Sequence, residues 1–181
     1  MTGKQFLQTL LVALAILWTS VSQGQEWTRF RGPNGQGISD AKTIPVKWTE
    51  KDFNWKVELP GGGHSSPVLW GDKLFVTSGN QKAEHSVLLA LSVSDGEVLW
   101  QKQYAVSKYR MNKLNSFATA TPAVDADHVY MLWTSPEETI LTALDHSGIE
   151  IWKHKSPTRS ANCRRVGLNL RFRGPADTMH V

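Results

Sequence analysis

Apolar and polar positions follow each other in short, strand-sized runs, and the same order of runs occurs twice. Pro67-Val68-Leu69-Trp70 is an apolar run, Gly71-Asp72 a turn, and Lys73-Leu74-Phe75-Val76-Thr77 a second run. A polar stretch from Ser78 to His85 reads as a loop. Val87-Leu88-Leu89-Ala90-Leu91, the turn Asp95-Gly96 and Glu97-Val98-Leu99-Trp100-Gln101-Lys102 complete the unit. The second unit reads Ala123-Val124, Asp125-Ala126-Asp127, His128-Val129-Tyr130-Met131-Leu132, Ile140-Leu141-Thr142-Ala143-Leu144, Ser147-Gly148 and Glu150-Ile151-Trp152-Lys153. Such runs are too short, and too rich in β-branched and aromatic residues, for helices. Proline suits a strand's first position, and Gly-Asp a tight hairpin.

The units are in register. Pro67 and Pro122 are 55 residues apart, as are Phe75 and Tyr130, while Trp100 and Trp152 are 52 apart. Repeats of this length mark propellers or solenoids, whose single units cannot bury their own faces. Four short antiparallel strands per unit predict a propeller blade. Phe53-Asn54-Trp55-Lys56-Val57-Glu58-Leu59 matches only a blade's closing strand, with Trp55 in the place of Trp100. The expected fold is therefore all-β: a partial β-propeller of about two four-stranded blades plus one outer strand. Two blades cannot close a ring, so the isolated chain is expected to fold poorly or to self-associate.

The flanks differ from the repeat. Lys4, the apolar stretch Leu10 to Leu17 and Ser22-Gln23-Gly24 read as a cleavable secretory signal, residues 1–24; the alternative is a membrane anchor. The organisation expected is then an N-terminal segment at 25–63, blade one at 64–105, blade two at 106–155, and a non-repeat basic tail at 156–181. The tail reads as the end of a longer gene cut short or shifted in frame, or as a basic interaction tail. Location is expected to be periplasmic or extracellular, with no stable membrane span after cleavage.

Charge narrows the partners. The net charge of +4 comes from Lys4 and from five arginines against Asp177 in residues 156–181, leaving 14 basic and 15 acidic residues between. A nearly neutral repeat region gives no reason to expect nucleic acid. Cys163 is the only cysteine, so no disulfide can form within the chain.

The closing part of each unit carries a resemblance. Ala90-Leu91-Ser92-Val93-Ser94-Asp95-Gly96-Glu97-Val98-Leu99-Trp100 resembles the tryptophan-docking motif Ala-x-Asp-x-x-Thr-Gly-x-x-x-Trp of pyrroloquinoline-quinone (PQQ) repeat propellers. Ala143-Leu144-Asp145-His146-Ser147-Gly148-Ile149-Glu150-Ile151-Trp152 is a version one residue shorter. The opening Trp27-Thr28-Arg29-Phe30-Arg31-Gly32-Pro33 is similar to exported members from planctomycete bacteria. The resemblance covers about residues 26–155. It implies blade-docking roles for Trp55, Trp100, Trp152, Gly96, Gly148 and Asp145, with the tryptophan rings stacked between blades. Ser92 and Asp95 depart from the motif and are expected to weaken its local hydrogen bonds.

Chemistry beyond docking is thinly supported. Quinoprotein dehydrogenases carry a Ca²⁺ site, a catalytic carboxylate and usually a vicinal disulfide, which one cysteine cannot supply. No cofactor is expected, with PQQ and Ca²⁺ as the alternative. His64 and Ser65, in Pro60-Gly61-Gly62-Gly63-His64-Ser65-Ser66, are the candidate ligand loop; the plainer reading is a loop of close backbone approach. Gly32-Pro33-Asn34-Gly35-Gln36-Gly37 has the wrong order for a nucleotide fingerprint. Asp125-Ala126-Asp127 could suggest Ca²⁺ but matches turn chemistry. No zinc spacing and no Gly-x-Ser-x-Gly elbow occur. Lys108-Tyr109-Arg110-Met111-Asn112-Lys113 reads as an exposed inter-blade loop. Two functions follow: a non-catalytic exported binding or scaffold module with an unknown protein or small-molecule ligand, or a remnant or subunit of a quinoprotein-dehydrogenase-type oxidoreductase.

Overall fold

A computed structural model describes residues 26–42, 44–80, 84–106, 109 and 115–157. The expected signal at 1–24 and residues 158–181 of the tail lie outside the described residues, as do Lys108 and residues 110–113.

The described chain is all-β, with two four-stranded antiparallel sheets. The first holds β1 (Val68–Trp70), β2 (Lys73–Asn80), β3 (His85–Ser92) and β4 (Val98–Ala105). The second holds β5 (Ala123–Val124), β6 (His128–Thr134), β7 (Glu138–Asp145) and β8 (Glu150–Pro157). Each sheet runs in chain order, as a meander of consecutive hairpins. Gly71 adopts φ +57° at the β1–β2 turn, where it has no Cβ to oppose that angle. In the matching β5–β6 turn, Asp125 Oδ1 accepts from the amides of Asp127 at 3.0 Å and His128 at 2.8 Å. A glycine turn in one blade and an Asx turn in the other do the same work.

Both sheets carry a β-bulge at the same place. Ala90 pairs with Trp100 but Leu91 with Val98; Ala143 pairs with Trp152 but Leu144 with Glu150. The extra residue in each closing strand bends it.

Three differences from the sequence reading have local causes. Ser78 to His85 was expected to be loop, yet β2 and β3 stay paired to Asn80 and His85. Ser78 and Ser86 are small enough to be buried there, and Ser86 Oγ donates to Phe117 O at 3.1 Å. Residues 53–59, expected as an outer strand, form none among the described residues, because no neighbouring strand offers them a ladder. β8 continues to Pro157, past the boundary expected at 155, because its partner strand starts at Glu138.

The sheets pack face to face through one core. Val68, Phe75, Leu88, Ala90 and Tyr104 of the first sheet join Val124, Val129, Met131, Trp133, Ile140 and Leu144 of the second. The first sheet's other face buries Val76, Val87, Leu89 and Leu91 under Val57 and Leu59. Burial of this kind contributes about 25 cal/mol for each Å² of apolar surface removed from water.

The N-terminal segment ties the two inner strands together. Trp27 exchanges both backbone hydrogen bonds with Leu69, at 3.2 and 2.9 Å, and Thr28 O accepts from Val124 N at 2.9 Å. Glu26 caps the Gly71 amide at 3.1 Å. Among the described residues, no helix is long and apolar enough to cross a membrane.

Candidate functional site

The motif residues form two equivalent docks, each filled by a tryptophan from the preceding segment. Gly148, at φ +87°, faces Trp100; a Cβ there would lie 2.8 Å from Trp100 Cδ2. Trp100 Nε1 donates to His146 O at 3.0 Å. Gly96, at φ +75°, faces Trp55, where a Cβ would lie 2.5 Å from the ring's Cε3. Trp55 Nε1 donates to Val93 O at 2.8 Å. Val93 and His146 each follow the first turn residue, Ser92 or Asp145. One carbonyl and one bare glycine thus make each dock: the glycine admits the ring, and the carbonyl fixes its edge.

The carboxylate at the turn holds the loop in shape. Asp145 Oδ1 accepts from Ser147 Oγ at 2.7 Å and from the amides of Ser147 and Ile149, both at 2.9 Å. Blade one divides that role. Asp95 Oδ1 takes the Glu97 amide at 3.0 Å, while Ser92 Oγ pairs with Ser94 Oγ at 2.8 Å. One carboxylate caps two amides in blade two and one in blade one.

Those bonds lower both carboxyls. The Ser147 hydroxyl, then the Ile149 amide, hold Asp145 below its usual 3.8. The Glu97 amide does most to lower Asp95. A folded-state value below the unfolded one adds stability above the unfolded value and loses it as pH falls through the folded one. The urea midpoint should therefore hold from pH 7 to about pH 5 and fall below about pH 4. Asp145→Asn should flatten part of that acid limb in urea titrations at successive pH values; an unchanged limb would show the capping carboxylate to be unimportant.

Trp152 occupies the position in β8 that Trp100 has in β4, but it is 37 % exposed. Its ring lies 6.1 Å from that of Tyr130. Among the described residues its indole N–H has no acceptor.

His64 and Ser65 lie in the seam before the blades. The amides of His64 and Ser65 donate to Ala118 O at 3.1 and 3.0 Å. Ser65 Oγ donates to Thr77 O at 3.1 Å, and Ser66 N donates to Thr121 Oγ1 at 3.0 Å. Gly63 permits the approach, since a Cβ there would lie 2.7 Å from that of Ala118. The exposed His64 ring meets Ser116 Oγ at 3.3 Å through Nδ1. The structure brings His64 and Ser65 together with residues 116–121, and apart from the tryptophan docks.

Asp125, Asp127 and His128 gather one potential metal ligand each. The donor set does not suit Ca²⁺, which needs six to eight oxygens. Asp125 Oδ1 is engaged by two amides, and Oδ2 accepts from Tyr130 Oη at 2.9 Å. Burial raises Asp125, but the His128 and Asp127 amides and the Tyr130 hydroxyl outweigh it and lower its pKa. Tyr109, in the segment read as an exposed loop, is part-buried: its hydroxyl donates to Thr134 O at 3.2 Å and its ring meets Phe117.

Sequence reasoning missed three contributors. The His146 and Val93 carbonyls complete the docks, but a backbone acceptor leaves no trace in residue identity. Trp27 covers Gly32, with a Cβ there 2.8 Å from its ring; the shared Trp–Gly pairing was the available signal.

Paired meanders with tryptophans docked on positive-φ glycines define a PQQ-like repeat protein. A family model described as outer membrane protein assembly factor BamB matches residues 41–170, most of the chain, and the chain belongs to that family. The match starts after the Trp27–Pro33 opening. It also runs into the segment expected to stand outside the repeat, so residues 156–170 fall within the family region. No curated protein matches the chain.

Proposed function

We propose that this chain is an exported, non-catalytic binding or scaffold module built from PQQ-like blades. The observation that carries the reading is the use of the motif residues. Trp55 and Trp100 fill the docks, Gly96 and Gly148 admit them, and Asp95 and Asp145 cap the turns. The same residues that mark the family are engaged in holding blade to blade. Ser65 is likewise bound to Thr77. The family's description as an assembly factor favours a protein partner over a small substrate.

Titration with PQQ and Ca²⁺ tests this directly. The expected result is no saturable change in quinone absorbance and no dye-linked alcohol oxidation. Saturable binding with turnover would replace the scaffold reading with a quinoprotein one. Export is tested by fractionating cells that express the full chain: the product should lie outside the cytoplasm and lack residues 1–24.

A further inference from the structure

Among the described residues the docking tryptophans outnumber the docks. Among those residues there are two such docks, at Gly96 and Gly148, and both are filled from within. Trp152 is a third docking tryptophan in the same strand register, with an exposed ring and no acceptor for its N–H among the described residues.

The two resident rings are held unequally. Trp100 belongs to β4, which is laddered to β3 from Val98 to Ala105. Trp55 belongs to residues 53–59, which form no strand among the described residues. Its hold is the bond to Val93 O, the ring against Gly96, and Val57 and Leu59 on the sheet. Beside that segment runs an open groove of about 350 Å³, lined by Glu58, Leu59, Pro60, Leu89, Val98 and Gln101. Blade one thus has a segment without strand pairing over the face that, in blade two, is packed by a whole sheet.

The residue two positions after each tryptophan separates the candidates further. At the Gly148 dock, Lys102 Nζ reaches Gly148 O at 3.4 Å. After Trp55 that position is Val57, which has no donor. After Trp152 it is His154, which has one.

We propose that Trp152 of one copy docks on the Gly96 turn of a second copy, displacing that copy's own Trp55 and joining chains head to tail. The new contact continues the interface already present between the blades: ring on glycine, indole N–H on Val93 O, and His154 toward Gly96 O. It is a heterologous contact, so it closes into a ring or extends as a chain of copies. Trp55 acts as an internal competitor that sets the concentration at which copies associate. The inference rests on the scaffold reading only for its purpose, and it is measured without cofactor, so the two fail separately.

Sedimentation velocity of the full chain over a range of concentrations is the test. Wild type should associate reversibly. Trp55→Ala should lower the apparent dissociation constant about tenfold or more, because the competent fraction rises when the competitor is gone. Trp152→Ala should abolish association. Trp55→Phe and Trp152→Phe, which keep the apolar ring and lose the N–H, should shift it in the same two directions by less. These variants keep the test decisive if an alanine variant misfolds. Opposite signs at the two positions are the signature. A wild-type monomer at every concentration overturns the proposal, as does association that survives Trp152→Ala or weakens in Trp55→Phe. A monomer whose Trp152 becomes exposed only after deletion of residues 158–181 also overturns it, since the occupant is then the chain's own tail.

Discussion

Gly148→Val should destabilise the folded chain by about 2–5 kcal/mol. The left-handed conformation costs a non-glycine residue about 1–2 kcal/mol, and overpacking a filled site adds about 1–3 kcal/mol. Both terms apply here, because Gly148 sits at φ +87° with the Trp100 ring where its side chain would go. Gly71 separates them: it has φ +57° but nothing within 4 Å of a would-be Cβ. Gly71→Val should show the backbone cost without the collision. Trp100→Ala removes the ring from the other side and should cost about 3–5 kcal/mol. Combined, the two changes should cost about 1–3 kcal/mol less than their sum, because valine at 148 no longer meets an indole. Urea unfolding followed by far-UV circular dichroism measures all four variants without depending on the indole removed. Additivity within about 0.5 kcal/mol would mean that ring and turn do not act as a pair.

That pairing also shows how far the sequence could be read. Alternation and turn residues place β1 to β8 well, because strand register is a local property that side-chain period reports. The motif likewise shows Trp100 and Gly96 as members of one unit. The docking partner of each ring is not legible in the same way. Trp100 shares its motif with Gly96 but docks on Gly148, and Gly96 takes Trp55. A repeat records what recurs within a unit, whereas docking depends on which unit faces which. The buried serines fail for a related reason. Ser78 lies in the stretch that reads as a loop, yet it pairs with Val87 in the β2–β3 ladder beside Ser86, whose Oγ donates to Phe117 O. At the candidate site, His64 and Ser65 stood out as chemical groups. The structure shows them sewn to residues 116–121, a contact between two pre-blade segments that no local pattern encodes.

Phe75→Ala is expected to cost about 3–5 kcal/mol, the range for losing a large aromatic side chain from a packed core. Phe75 is fully buried, with its ring 5.9 Å from Trp100 and 5.7 Å from His146. Those neighbours lie on opposite sides of the seam, one in β4 and the other in the turn after β7. Deleting the ring therefore empties the space where the two sheets meet as well as part of one sheet's core. Phe75→Leu, which keeps most of the volume, should cost less than about 1.5 kcal/mol if the seam can repack. The shape of the transition carries a second readout. A repeat unit does not bury its own face alone, so two sheets joined through this seam are expected to unfold together. In Phe75→Ala the urea transition should broaden or split, while Phe75→Leu should keep a single transition. A loss below about 1 kcal/mol with an unchanged transition would mean that the blades are coupled chiefly by the tryptophan docks, and that the aromatic seam beneath them is secondary.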